Sequence, residues 1–101
     1  MTCLGPVDQI PFGTGKEFSV GDSQIAVFRT TAGKLFATQA LCPHANGHLA
    51  AGALGSRRVI CPDHQWKFDL ESGQCVGGEP ARLRTYPVEE RDGQVWLADT
   101  E

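Results

Sequence analysis

Apolar residues along the chain recur at every second position or gather in short runs, and Gly and Pro interrupt them at short intervals. A period of two rather than 3.6 reads as strands. Gln24 to Thr30 (QIAVFRT) and Leu35 to Gln39 (LFATQ) flank Thr31-Ala32-Gly33-Lys34, a hairpin signal with a glycine available for positive φ. Arg57 to Cys61 and Trp66 to Leu70 predict two short strands around the turn CPDHQ, and the turn Glu71-Ser72-Gly73-Gln74 leads into Cys75-Val76. Leu83 to Glu89 and Gln94 to Ala98 predict a further hairpin across Arg91-Asp92-Gly93. The first fifteen residues, with Pro6 and Pro11, read as an irregular edge, and no helix longer than a turn is expected. Short strands between turn clusters point to an all-β antiparallel sandwich or barrel, expected to form one domain over residues 1–101.

Two segments break the pattern. Ala40 to Ser56 is too long for a hairpin turn, and Pro62 to Gln65 interrupts a strand-like stretch. Each interruption carries a cysteine and a histidine at close spacing: Cys42-Pro43-His44, then sixteen residues, then Cys61-Pro62-Asp63-His64. Two facing loops of this kind put two thiolates and two imidazoles around one centre, a donor set that suits either a tetrahedral zinc or an iron–sulfur cluster. Structural zinc usually collects pairs of like ligands, whereas here each loop supplies one of each kind. A [2Fe-2S] unit accepts such loops by giving both cysteines to one iron and both histidines to the other.

Composition narrows the partners. Of 101 residues, twelve are Asp or Glu and nine Lys or Arg, for a net charge of −3. The basic residues are few and scattered, which argues against nucleic acid. The richest apolar window, Leu49 to Leu54, is short and broken by Gly52, far from a membrane span, and Met1 to Pro6 lacks the features of an export signal. A cytoplasmic location is expected, with the four cysteines as reduced thiols or metal ligands rather than a disulfide framework. A core this small benefits from a stabilising metal centre.

The pattern CPH, a sixteen-residue gap, CPDH and then WKFDLESG closely resembles the Rieske [2Fe-2S] proteins, over roughly Phe18 to Leu97. That resemblance implies that Cys42 and Cys61 hold an inner iron and His44 and His64 an outer one, with antiparallel sheets carrying two cluster-binding loops as a small subdomain. High-potential members of the family join the loops by an extra disulfide and place a serine hydroxyl near a sulfide. The matching positions here are Gly47, Asp63 and Trp66, and Gln65 stands where many relatives have glycine. Two ferric ions, two sulfides and two thiolates sum to zero charge, so an electron enters more easily than in an all-cysteine cluster. Without the disulfide and the hydroxyl, the potential is expected in the lower part of the family's range of about −150 to +300 mV. Imidazole ligands that lose protons more readily when the iron is oxidised imply a potential that falls as pH rises.

With all four ligand positions filled by protein, the expected chemistry is one-electron transfer. A mononuclear oxygenase iron would need two further histidines, and only His48 remains. Leu35 to Ala40 and Leu83 to Val88 look more like small subunits of NAD(P)H-dependent nitrite reductase than like the ferredoxin components of ring-hydroxylating dioxygenases. The first likeness implies a large flavin, siroheme and [4Fe-4S] partner subunit that reduces nitrite to ammonium. The second implies a flavoprotein reductase and an oxygenase. A zinc-filled adaptor domain and a redox sensor are the further alternatives.

Other conspicuous residues have plainer readings. His48 is a polar loop residue, Cys3 a thiol at a frayed terminus and Cys75 an unpaired thiol inside. Trp66 and Phe68 are core residues on one strand face, with Trp66 also placed to shield the centre, and Arg57-Arg58 and Glu89-Glu90 are solvated. Gly13 to Glu17 resembles a phosphate loop only in part, because Ile10 and Glu17 stand where Gly and Ser or Thr belong, and it reads as a turn.

Overall fold

The computed structural model describes residues 2–42, 47–62, 66–77 and 81–98. Eleven strands are found among them, in three antiparallel sheets. They are β1 (Thr2–Pro6), β2 (Thr14–Val20), β3 (Ser23–Arg29), β4 (Leu35–Gln39), β5 (Ala53–Leu54), β6 (Arg58–Ile60), β7 (Lys67–Asp69), β8 (Cys75–Gly77), β9 (Thr85–Tyr86), β10 (Val88–Arg91) and β11 (Gln94–Leu97). The sheet orders are β1-β11-β10, β2-β3-β4-β9 and β5-β6-β7-β8. Helical structure among the described residues is limited to 3-10 turns at Val7–Gln9 and Leu49–Ala51.

Strand β3 explains how the layers stack. Its run Ile25-Ala26-Val27-Phe28 is buried throughout, as expected of a strand covered on both faces. Ile25 and Val27 join Val7, Ile10, Ala37, Val95 and Leu97 in one core. Ala26 and Phe28 face the other way, with Phe36, Leu49, Val59, Phe68 and both loop cysteines in a second. The β2-β3-β4-β9 sheet is therefore the middle layer, and the β5–β8 sheet is the small subdomain that carries the loops.

The turns follow their glycines. Gly33 at φ +88° closes β3 to β4, and Asp92 and Gly93, at φ +55° and +76°, close β10 to β11.

Several expectations need correction. The first fifteen residues are ordered rather than irregular: β1 pairs with β11 through a bulge at Cys3/Gly5, and Arg29 donates to the carbonyls of Val7 and Ile10 while stacking on Phe12. Cys3 accordingly lies in a paired strand, not at a frayed end. Thr14 to Glu17 open β2 and are not a turn; only Gly13, at φ +79°, turns. Leu83 to Glu89 is not one strand. Pro87, with no N–H to donate, parts β9 in the middle sheet from β10 in the outer one. Within Ala40 to Ser56, a two-residue strand, β5, pairs with β6.

Candidate metal centre

Each cysteine loop grows from a strand end and closes in the same way. β4 runs through Ala40 and Leu41 to Cys42, and Leu41 bridges His48 across the loop's stem. The Cys42 N–H then donates to the Gly47 carbonyl at 2.8 Å. β6 runs into Cys61, whose N–H donates to the Trp66 carbonyl at 2.7 Å before β7 begins. Both loops thus return to their cysteine's backbone five residues on, although their sequences differ.

The two loops differ in what supports them. The second stands on a ladder, with Arg58, Val59 and Ile60 paired to Asp69, Phe68 and Lys67. The first has the single Leu41–His48 bridge and is tied to β2 by the His48 ring Nδ1, 2.5 Å from Glu17 Oε2. The expected polar role of His48 is thereby given a partner, a carboxylate on a strand that the sequence reading had not drawn.

Cys42 and Cys61 are both fully buried, and both belong to the core built by Phe28, Leu49, Val59 and Phe68. No disulfide involves either of them, nor Cys3 or Cys75. Cys75 is half-buried at the margin of this core rather than inside it, and Cys3 is exposed and donates to the Gln94 side chain. His44 and His64, the other two predicted ligands, lie outside the described residues, as do Asp63 and Gln65. Trp66 is half-buried against the same core, and Phe68 is fully buried.

Behind the second loop, Asp69 pins the subdomain. One carboxylate oxygen accepts the N–H of Glu71 at 2.8 Å and of Ser72 at 3.4 Å; the other accepts the Arg57 guanidinium at 3.0 Å. Burial pushes this carboxyl up, but the Glu71 N–H, the Arg57 guanidinium and the Ser72 N–H outweigh it and hold it below its ordinary value of 3.8. Gly52 lets the subdomain close onto this ladder. A Cβ there would stand 2.0 Å from the Ile60 carbonyl oxygen, so no other residue fits without moving the backbone. Neither Gly52 nor Asp69 was singled out in the sequence. The only signal was the break that Gly52 makes in Leu49 to Leu54.

Two soft sulfur donors, one from each loop and both buried in one core, fit a metal centre. Fold and loops together define an antiparallel β protein whose two loops each bury a cysteine in one core. A model of the Rieske [2Fe-2S] domain matches residues 1–87. The chain belongs to the Rieske [2Fe-2S] domain family, whose cofactor is a Rieske-type [2Fe-2S] cluster.

The chain is 32% identical over 92 residues to the ferredoxin component of the naphthalene 1,2-dioxygenase/salicylate 5-hydroxylase systems of Ralstonia sp., covering 90% of this chain and 88% of that one. It is 37% identical over 87 residues to a nitrite reductase [NAD(P)H] of Emericella nidulans, covering 76% of this chain and 8% of the relative. The chain spans a quarter or less of the length of several curated relatives that it matches, this one among them. Among solved structures, a putative NADH-dependent nitrite reductase small subunit from Mycobacterium tuberculosis superposes with a TM-score of 0.89 at 25% identity, covering 99% of this chain and 95% of that one. No helix among the described residues is long and apolar enough to cross a membrane.

Proposed function

We propose that this chain carries single electrons on a cluster held by Cys42 and Cys61 at one iron and by His44 and His64 at the other, and that it works as the small subunit of an NAD(P)H nitrite reductase. One observation supports the cysteine half of this assignment: Cys42 and Cys61 each open a loop closed by the same backbone hydrogen bond, and both side chains are buried in one core; His44 and His64 are assigned from the sequence pattern. When bound, the cluster supplies a reversible one-electron couple. The chain's own residues do the rest. Leu49, Val59, Phe28 and Phe68 keep water from the thiolates, so that little solvent must reorganise when charge changes. The N–H groups of Cys42 and Cys61 are spent on loop carbonyls, which is consistent with a potential in the lower part of the family's range.

Two features favour the nitrite reductase assignment. Identity to the nitrite reductase is 37%, against 32% for the ferredoxin component. The two stretches that suggested it also pair in space as β4 and β9, with Ala37 opposite Tyr86 and Thr38 opposite Thr85, and Gln39 further bonds to Arg84. They therefore form one local unit rather than two separate likenesses. The partner is then a large reductase subunit and the compartment the cytoplasm, where unbridged thiols persist. The match over 88% of the Ralstonia ferredoxin favours a second reading, an electron carrier between a flavoprotein reductase and an oxygenase.

Anaerobic reconstitution followed by iron, sulfide and zinc analysis tests the first claim. Equimolar iron and acid-labile sulfide, with colour that bleaches on dithionite, are expected; a colourless protein with stoichiometric zinc overturns it. Stimulation of NAD(P)H-dependent nitrite reduction by the large subunit supports the assignment. Stimulation of an aromatic-ring oxygenase instead supports the second reading.

A further inference from the structure

We infer that the outward face of the β5-β6-β7-β8 sheet is a docking surface for an acidic redox protein, an inference that rests on the electron-carrier reading above. The register fixes which residues share that face. Ala53, Ile60 and Lys67 stand side by side across three strands, with Arg58 two positions from Ile60, while Val59 and Phe68 point into the core. Arg58 and Lys67 are exposed, and Val76 on the neighbouring β8 is 46% exposed.

Two adjoining grooves open here, one lined by Gly55, Ser56, Arg57 and Arg58, the other reaching along Ala53, Leu54, Ile60 and Lys67. Their lining carries three cations, of which Arg57 is already paired with Asp69, and, among the described residues, no carboxylate. The acid opposite Arg58 in register is Asp69, which is buried and already bonded to Arg57 and to the N–H groups of Glu71 and Ser72.

This sign is opposite to that of the whole chain, whose net charge is −3. Exposed Glu89, Glu90 and Asp92 gather on the β10–β11 hairpin, in a different sheet, and the exposed Glu71, in the turn after β7, lines a different groove. The grooves therefore offer an acidic partner local cations, whereas the hairpin repels it. The patch also reaches the site. Ile60 directly precedes Cys61, and Lys67 directly follows Trp66, so both flank the base of the second cysteine loop. Ile60 and Val76 supply the apolar contact that a transient interface needs beside its charges.

The test uses the reconstituted holoprotein, wild type and R58E/K67E, mixed in stopped flow with a reduced plant-type [2Fe-2S] ferredoxin of net negative charge. Such a ferredoxin lies below the Rieske range in potential, so it is oxidised by one electron as this protein is reduced. Although both proteins are net negative, the wild-type second-order rate is expected to fall as salt rises from about 0.01 to about 1 M, where the screening length shrinks from about 30 to about 3 Å. At low salt the double variant should be slower by about tenfold or more, approaching wild type at high salt, with its visible spectrum unchanged. The neutral variants R58Q and K67Q should fall in between. A wild-type rate that rises with salt, or a double variant as fast as wild type at low salt, overturns the docking surface. A holoprotein that dithionite cannot reduce sinks the electron-carrier reading itself, and this surface with it.

Discussion

Replacing Asp69 with alanine should loosen the subdomain that carries the second cysteine loop, and the size of the effect can be worked from its contacts. The carboxylate ties the turn after β7 to the bend before β6: it accepts the Glu71 N–H at 2.8 Å, the Ser72 N–H at 3.4 Å and Arg57 at 3.0 Å. A buried hydrogen bond to a charged acceptor contributes about 1.5 to 3 kcal/mol. The Glu71 bond is of that kind, the Ser72 bond is long and weak, and the largely exposed Arg57 adds at most about 1 kcal/mol. A total of about 2 to 3 kcal/mol corresponds to a melting temperature roughly 10 to 20 °C lower for a domain of this size. Asp69→Asn, which keeps an acceptor for Glu71 but loses the charge, should cost about half as much.

The pH dependence has a definite sign. Because the folded carboxyl titrates below its ordinary 3.8, its contribution is complete above that value and is lost as pH falls through the lower, folded value. Equilibrium urea unfolding followed by tryptophan fluorescence, near neutrality and in steps down through this acid window, measures the difference between wild type and variant. The difference should shrink as the solution is acidified. An Asp69→Ala protein as stable as wild type near neutrality, or a difference that widens in acid, would refute the reasoning.

Gly52→Ala should cost about 1 to 3 kcal/mol or prevent cluster incorporation, since its Cβ would press on the Ile60 carbonyl one residue before Cys61; unfolding curves and visible absorbance after reconstitution check this. Glu17→Gln should lower stability by no more than about 1 kcal/mol, because its partner His48 is 65% exposed, and a larger loss in urea unfolding would show the tie to be central to the first loop. A potentiometric titration should give a midpoint in the lower part of the range of about −150 to +300 mV, and a midpoint well above about +100 mV would contradict the reading of Gly47, Asp63 and Trp66.

Much of this architecture was legible because it follows from strong local signals. Alternation and Gly-centred turns located β3, β4, β7, β8 and β11, and the unusual pairing of one cysteine with one histidine in each interruption marked the loops. The N-terminal strands were not legible for a physical reason. β2 is an edge strand whose residues alternate only between exposed and half-buried, so Thr14 to Val20 carries little hydrophobic contrast, and β1 is broken by a bulge at Gly5. The division at Pro87 was readable in principle, since proline cannot continue a ladder, but the apolar residues on either side mask it. What held the loops escaped sequence reading altogether: the Gly47 and Trp66 carbonyls and the Asp69 anchor act through backbone geometry and distant partners, which spacing along the chain does not encode.

The central claim is an asymmetric ligand set, sulfur at one iron and imidazole at the other. Mössbauer spectroscopy of protein reconstituted with iron-57 tests it directly. In the oxidised state two distinct ferric components of equal area are expected, and in the reduced state replacing His44 or His64 should alter the ferrous component selectively. Two equivalent irons, or a ferrous component indifferent to both histidine replacements, would contradict the account.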